Sequence, residues 1–305
     1  MNIFYIINKN SKLIVGFIFF LTINAVFGYK ENNLDEEKSN FNMDWRLYQY
    51  NIQSYINIIE STSVNERYYL RNQVKEIMLK KISVGIENMF VDNTHKIMDI
   101  LDQNSDFRQE YPLFMQSINI VRMTFRNSMI EVSTALPMRG GRGLLSHIPL
   151  PWGTMSYNPL LAPEYVGEAY AKTSVGNEYE SGLIPIKYSG VIIDLRGMDI
   201  NEAFAPRIFS QTGRLIYGPE FILSKIGIQR GIVAYTHDIS DSEVRIRAGD
   251  SPYFTVALAT RGLYKTDVVI SNKDAARLLQ HAVTIENLQK CRVVFLVDNR
   301  RNRKK

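Results

Sequence analysis

The stretch from Tyr188 to Gly218, YSGVIIDLRGMDINEAFAPRIFSQTGRLIYG, constrains the fold of this chain more than any other. Val191-Ile192-Ile193 is an uninterrupted β-branched run, which suits a buried strand, and Arg196-Gly197 marks its end. Ala205 to Phe209 forms a second short run. Gln211-Thr212-Gly213-Arg214 turns the chain, and Leu215-Ile216-Tyr217 returns it before Gly218-Pro219 breaks the pattern. The spacing predicts a strand, an excursion and a tight hairpin.

Further strands are expected after this stretch at Gly231–Tyr235, Phe254–Ala259, Thr266–Ile270 and Arg292–Val297. Ser271-Asn272-Lys273-Asp274 has the form of a capping box, with Ser271 as the cap of a helix over Ala275–Val283. Upstream, Trp45, Leu47, Tyr48, Tyr50 and Ile52 give a partly alternating aromatic strand candidate. Leu70, Val74, Ile77, Met78, Ile82, Ile86 and Met89 recur at three and four, so residues 65–91 read as an amphipathic helix. Its other face carries Arg67, Arg71, Lys75, Lys80 and Lys81, as a solvated helix surface does. A shorter helix is expected around His95–Leu101. Ile118–Phe125 and Met129–Leu136 then read as a hairpin turning at Asn127-Ser128. The predicted class is α+β in two small units. The first, over 43–138, is a strand, a helix and a hairpin; the second, over 185–299, is a mixed sheet with one main helix.

The ends of the chain differ from its body. Lys9 and Lys12 precede the apolar run Leu13–Leu21, and Val26-Phe27-Gly28 offers a cleavage site, so residues 1–28 read as a secretory signal peptide. A retained anchor is the other reading, although the run is short against the ~20 apolar residues of a membrane span. Tyr29–Asn42 is polar and acidic and reads as a leader. The formal net charge of +5 is a property of the ends. Without the two signal lysines it falls to +3. Without Arg300, Arg301, Arg303, Lys304 and Lys305 as well, the body is at −2. That distribution gives no nucleic-acid footprint. The basic tail, 300–305, is either a solvated end or a point of contact with anionic lipid, acidic protein or polymer. The protein is thus expected in the periplasm, with its signal removed.

Residues 139–184 change character, with Gly140-Gly141-Arg142-Gly143, Pro149-Leu150-Pro151-Trp152-Gly153 and Asn158-Pro159. Such a Gly/Pro/aromatic-rich connection is too long for a plain loop in a compact domain. It is either a tether or an ordered arm packed on a neighbour. Gly140–Gly143 lacks the lysine and the strand-to-helix flanks of a phosphate-binding loop and reads as a hairpin end.

No catalytic set emerges. His95, His147, His237 and His281 are scattered, without metal-ligand spacing. Asp194 and Asp199 are a candidate carboxylate pair for acid–base work, but Asp194 at a strand end suits a turn bond or an ion pair with Arg196 or Arg207. Asp267, ahead of Val268-Val269-Ile270, reads as structural too. Cys291 is the single cysteine, which rules out an intramolecular disulfide, and burial as a small hydrophobe is expected. No catalytic, cofactor-binding or metal-ligating residue is assigned.

Three blocks carry a family resemblance: SGVIIDLRG continuing to APRIF and GRLIY, then TDVVISNKDA from Thr266 to Ala275, then KCRVVFLVD from Lys290 to Asp298. In this order they resemble the bacterial envelope lipoproteins and flagellar-assembly proteins of the P and T type, which form periplasmic rings or basal disks. Leu136-Pro137-Met138-Arg139-Gly140 is similar to the end of that family's N-terminal hairpin. The resemblance implies a non-enzymatic, exported structural protein of the cell envelope, associated with the flagellar motor. Its implied partners are further copies of itself and other envelope or basal-body proteins. Family members are often lipidated at a cysteine just after the signal; this chain has only Cys291, so it is not expected to be a lipoprotein. The alternative is a periplasmic binding module for envelope polymer or lipid.

Overall fold

The computed structural model describes residues 36–57, 64–118, 122–126, 129–156 and 187–299. The signal stretch 1–28, the later part of the connection and the basic tail lie outside the described residues.

The first region is an antiparallel sheet with helices on one face. β1 (Glu36–Asp44), β2 (Gln49–Asn57), β3 (Arg122–Arg126) and β4 (Met129–Pro137) lie in the order β1-β2-β4-β3. β2 and β4 pair Tyr50 with Leu136, Ser54 with Val132 and Ile56 with Ile130, which brings their alternate residues to one buried face. α1 (Val64–Glu87) buries Leu70, Val74, Met78, Ile82 and Ile86, a row four residues apart down one side. It approaches β2 closely at Gly85, where an added Cβ would lie 2.2 Å from the Tyr50 hydroxyl. α2 (Ile97–Gln103) and α3 (Ser105–Ser117) complete this layer. In α3 the Asn104 side chain caps by accepting from the Phe107 N–H, and Phe107, Tyr111 and Phe114 face inward.

Two expectations need correction here, and one helix was not expected. The leader ends in a strand, because β1 runs from Glu36 and pairs Phe41 with Ile52 and Met43 with Tyr50. Its backbone supplies the pairing, so a polar sequence suffices. Trp45–Tyr48 is a turn between β1 and β2, with Tyr48 at φ 52°. Its aromatics do not alternate across a pleat; both Trp45 and Tyr48 enter the core beneath the second region. α3, finally, has no counterpart in the sequence reading.

The second region holds two four-stranded sheets. One is fully parallel: β5 (Val191–Asp194), β8 (Ala234–Thr236), β9 (Tyr253–Val256) and β12 (Val293–Leu296), in the order β8-β12-β5-β9. The other is mixed: β6 (Ile208–Ser210), β7 (Leu215–Tyr217), β10 (Ala259–Arg261) and β11 (Asp267–Ile270), in the order β10-β11-β6-β7. α4 (Ser224–Arg230), α5 (Ser242–Ala248), α6 (Asn272–Leu279) and α7 (Ala282–Gln289) surround them. The class is α+β in two regions, but the expected single sheet with one main helix is replaced by two sheets and four helices. The short helices begin at Asp241, Ser271 and His281, whose side chains each accept a backbone N–H. Ser271 caps α6 as predicted, and the Asp274 carboxylate accepts from the Ser271, Tyr253 and Thr255 hydroxyls.

The two regions share one hydrophobic cluster. The Trp45 ring meets Phe204 edge-on at 5.0 Å and Tyr235 at 5.8 Å. The Tyr48 hydroxyl donates to Val233 O at 2.8 Å, and its ring fills the space over Gly231, where a Cβ would lie 2.3 Å away. Backbone bonds join Phe204 to Phe90 and Ala205 to Val91. The described start of the connection, 139–156, is a strap across this junction. Leu144 and Leu145 are buried, Gly140 donates to Ile228 O, Met155 donates to Glu220 O, and the Trp152 ring lies on Gly227.

Candidate functional site

Parallel strands are ordinarily covered on both faces, since their crossover connections place helices there. One face of the parallel sheet packs into the main core through Val191, Ile193, Val293 and Phe295. Among the described residues the opposite face is covered by α5, seven residues long, whose Val244 and Ala248 lie over Ala234, Val294 and Ile192. Register carries that row onward from Ile192 to Phe254 on β9. There the cover stops: Phe254 is 47% exposed and Val256, the next residue on the same face, 58%. Leu258 continues the strip beyond the strand end. β9 is also an edge, paired only with β5, so its outer backbone groups face no strand among the described residues. An apolar face beside a free edge is the form a sheet takes where another chain completes it.

The residues considered for chemistry are dispersed. Asp194 is held by Arg196, with Nε at 2.9 Å and Nη2 at 2.6 Å, and these bonds chiefly hold its carboxyl below the usual range. Asp199 pairs instead with Lys265 at 2.7 Å. The two carboxylates thus serve separate cations and form no acid–base pair. His95 contacts Asp92, His147 contacts Glu110, and His281 caps α7, while His237 lies exposed past β8. Among the described residues no group of three or more His, Cys, Asp or Glu side chains is placed to hold a metal ion. Cys291 is fully buried just beyond α7, and burial pushes its thiol up. In the Gly140–Gly143 turn, the Gly140 N–H is taken by Ile228 O and the Gly143 N–H by Gly140 O, so neither points into a phosphate cradle.

Asp267 has a larger part than its sequence context suggested. It is completely buried at the start of β11, accepting from the Arg207 N–H at 2.9 Å and from the Asn93 side chain. Arg207 in turn bonds Glu220 through Nε at 2.7 Å and approaches Asp92 at 3.7 Å. Three carboxylates and one guanidinium therefore sit where the 90–96 loop of the first region meets the second. Burial dominates and raises the Asp267 carboxyl to about 6. Arg207, considered as a partner of Asp194, belongs to this junction. Its partners Asp92 and Glu220 carry no sequence signal: Asp92 lies in a loop of the first region, and Glu220 sits 13 residues on in a short 3-10 turn with no periodic pattern.

An open polar cleft of about 580 Å³ lies at the carboxyl ends of β8 and β12, bordered by Asn40, Asp44, Arg46 and His237. Arg46 is engaged by Asp44 and Asp241, so it serves to join the β1–β2 turn to α5.

A family described as Treponema pallidum Tp0624, second domain, matches residues 190–299, a little over a third of the chain. That span contains both sheets of the second region and the uncovered β9 face. No curated protein matches the chain. Among the described residues no helix is long and apolar enough to cross a membrane.

Proposed function

We propose that this chain is an exported, non-enzymatic assembly protein of the bacterial cell envelope, contributing to a periplasmic ring or disk at the flagellar motor. Its copies associate through the β9 face of the parallel sheet. The observation that carries this reading is the strip of Phe254, Val256 and Leu258, 47–58% exposed, on an edge strand that no described strand other than β5 pairs. A second copy laid on that strip removes apolar surface from water at about 25 cal/mol per Å², and a ring forms when the strip of each copy meets a different face of the next, head to tail. The resemblance of the three blocks between Tyr188 and Asp298 to ring and disk proteins supports the envelope and motor assignment. Asp194 and Asp199 serve separate cations, and His95, His147 and His281 have separate structural partners, which supports a role without catalysis.

Sedimentation velocity of the chain lacking residues 1–28 tests the association. Concentration-dependent oligomers are expected, and the double substitution Phe254→Glu and Val256→Glu leaves a folded monomer. A wild-type chain that stays monomeric at high concentration overturns the assembly reading. In cells, deleting the gene and imaging the motors tests the location: a missing periplasmic ring density with impaired swimming is expected. Intact motors and normal swimming would put the binding module for envelope polymer or lipid in its place.

A further inference from the structure

Four arginines converge where the end of α4 meets α5 and the start of β12. Arg247, on α5, is only 5% exposed; its Nη2 donates to Gly231 O at 2.6 Å and its Nη1 to Arg230 O. Arg139, just past β4, sends its own Nη1 to the same Arg230 oxygen at 3.3 Å. Two guanidinium groups from different regions thus share one carbonyl. Arg230 contributes its own partly buried side chain, and Arg292 reaches back to Ser189 O at 3.3 Å. Burial first, then the positive charges of Arg247, Arg292 and Arg139, make the Arg230 guanidinium a weaker base than usual.

The carbonyls explain part of this arrangement. The Arg230 and Gly231 oxygens close the C-terminus of α4, which takes donors and carries partial negative charge, whereas Ser189 O lies just ahead of β5. One cation satisfies that need, and four exceed it. Arg46, Arg126, Arg196, Arg207 and Arg245 each have a carboxylate partner, whereas none of these four has one among the described residues. The Nε–H groups of Arg247 and Arg292 are moreover buried without an acceptor. A cluster of like charges with unused donors is costly to fold unless an anion completes it.

We infer that this cluster is a binding site for a phosphate-class oxyanion. The planar guanidinium fork matches phosphate oxygens two at a time. A phosphate ester also supplies up to two negative charges and several acceptors, where a single carboxylate cancels one charge only. Soluble phosphates and phospholipid headgroups share this chemistry. The site lies apart from the β9 face, so it stands or falls independently of the assembly reading.

The test is thermal unfolding of the full chain with increasing pyrophosphate, at ionic strength held constant with sodium chloride, beside Arg139→Gln and Arg292→Gln. Co-sedimentation of the same proteins with phosphatidylglycerol vesicles runs in parallel. Without added anion, each variant is expected to melt at or above the wild type, because one unneutralised charge has gone. A saturable rise in wild-type Tm with pyrophosphate is expected. Each variant should bind about tenfold or more weakly, which is what one charge-assisted hydrogen bond contributes. Loss of the pyrophosphate response in the variants assigns a soluble phosphate; loss of vesicle binding alone assigns a headgroup. Responses undiminished in both variants, or no response in either arm, overturn the inference.

Discussion

Replacing Asp267 with Asn tests whether the charged junction between the two regions stores a cost that depends on pH. Burial raises the Asp267 carboxyl from 3.8 to about 6, against the opposing pull of the Arg207 N–H and the Arg207 charge. A shift of that size, at about 1.36 kcal/mol per unit, corresponds to roughly 3 kcal/mol. The folded state binds this proton more tightly than the unfolded state. Stability from the protonated carboxyl is therefore fully present below the unfolded value and is lost as pH rises through about 6. Asn keeps an oxygen for the Arg207 N–H, and a rotated Asn93 amide can meet its NH₂ group. Arg207 retains Glu220 at 2.7 Å. The variant should thus match the wild type near pH 4 and exceed it by up to about 3 kcal/mol near pH 8. Urea unfolding across that range, compared at each pH, reads the difference directly. A difference that does not change with pH, or a variant weakest at high pH, would refute the reasoning.

The core shared by the two regions yields further expectations. Tyr48→Phe removes the donor to Val233 O and should cost about 1 kcal/mol in urea unfolding. Gly231→Ala, at φ 73° and with its Cβ against the Tyr48 ring, should cost more than Tyr48→Phe in the same assay, because overpacking alone typically costs about 1–3 kcal/mol. Ser271→Ala deprives the Asp274 N–H of its cap and should cost about 1 kcal/mol, read as a lower Tm. A chain nicked by protease between residues 157 and 186 should elute from gel filtration as one particle, since Tyr48, Trp45 and Phe204 stay packed together. Fragments that separate without denaturant would mean that the regions fold independently.

The elements legible in the sequence are those whose packing repeats locally. The helix α1 shows because Leu70, Val74, Met78, Ile82 and Ile86 all face one sheet, and burial at regular spacing is what periodicity records. The strands β5 and β12 show because both of their faces are largely buried, so no polar residue interrupts them. The elements that stayed hidden break that link in identifiable ways. β1 pairs through its backbone while its sequence is polar. α3 carries Pro112 inside a helical spacing of aromatics, and a proline argues locally against the helix that neighbouring contacts sustain. Of the three other short helices of the second region, α5 and α7 start at the caps Asp241 and His281 and α4 has no side-chain cap, and each has too few turns to show a period.

The charged sites are a different case, because their meaning depends on contacts between distant parts of the chain. Asp194 and Arg196 are two residues apart, and their pairing was accordingly foreseeable. Asp267 meets Asn93 across 174 positions, and Arg139 reaches the Arg230 carbonyl across 91. No local pattern marks any of these residues as buried, and an arginine in sequence looks the same whether solvated or enclosed. The distinction arises only when the strap at 139–156 and the 90–96 loop close over the second region. That closure removes water from Arg207, Asp267 and Arg247 together, and the absence of water makes their charges consequential. The same closure joins the regions through Trp45 and Tyr48. The charge sites that sequence reading misses are therefore consequences of the two regions sharing a core, and substitutions that loosen the junction should return the Asp267 carboxyl from about 6 toward its ordinary value.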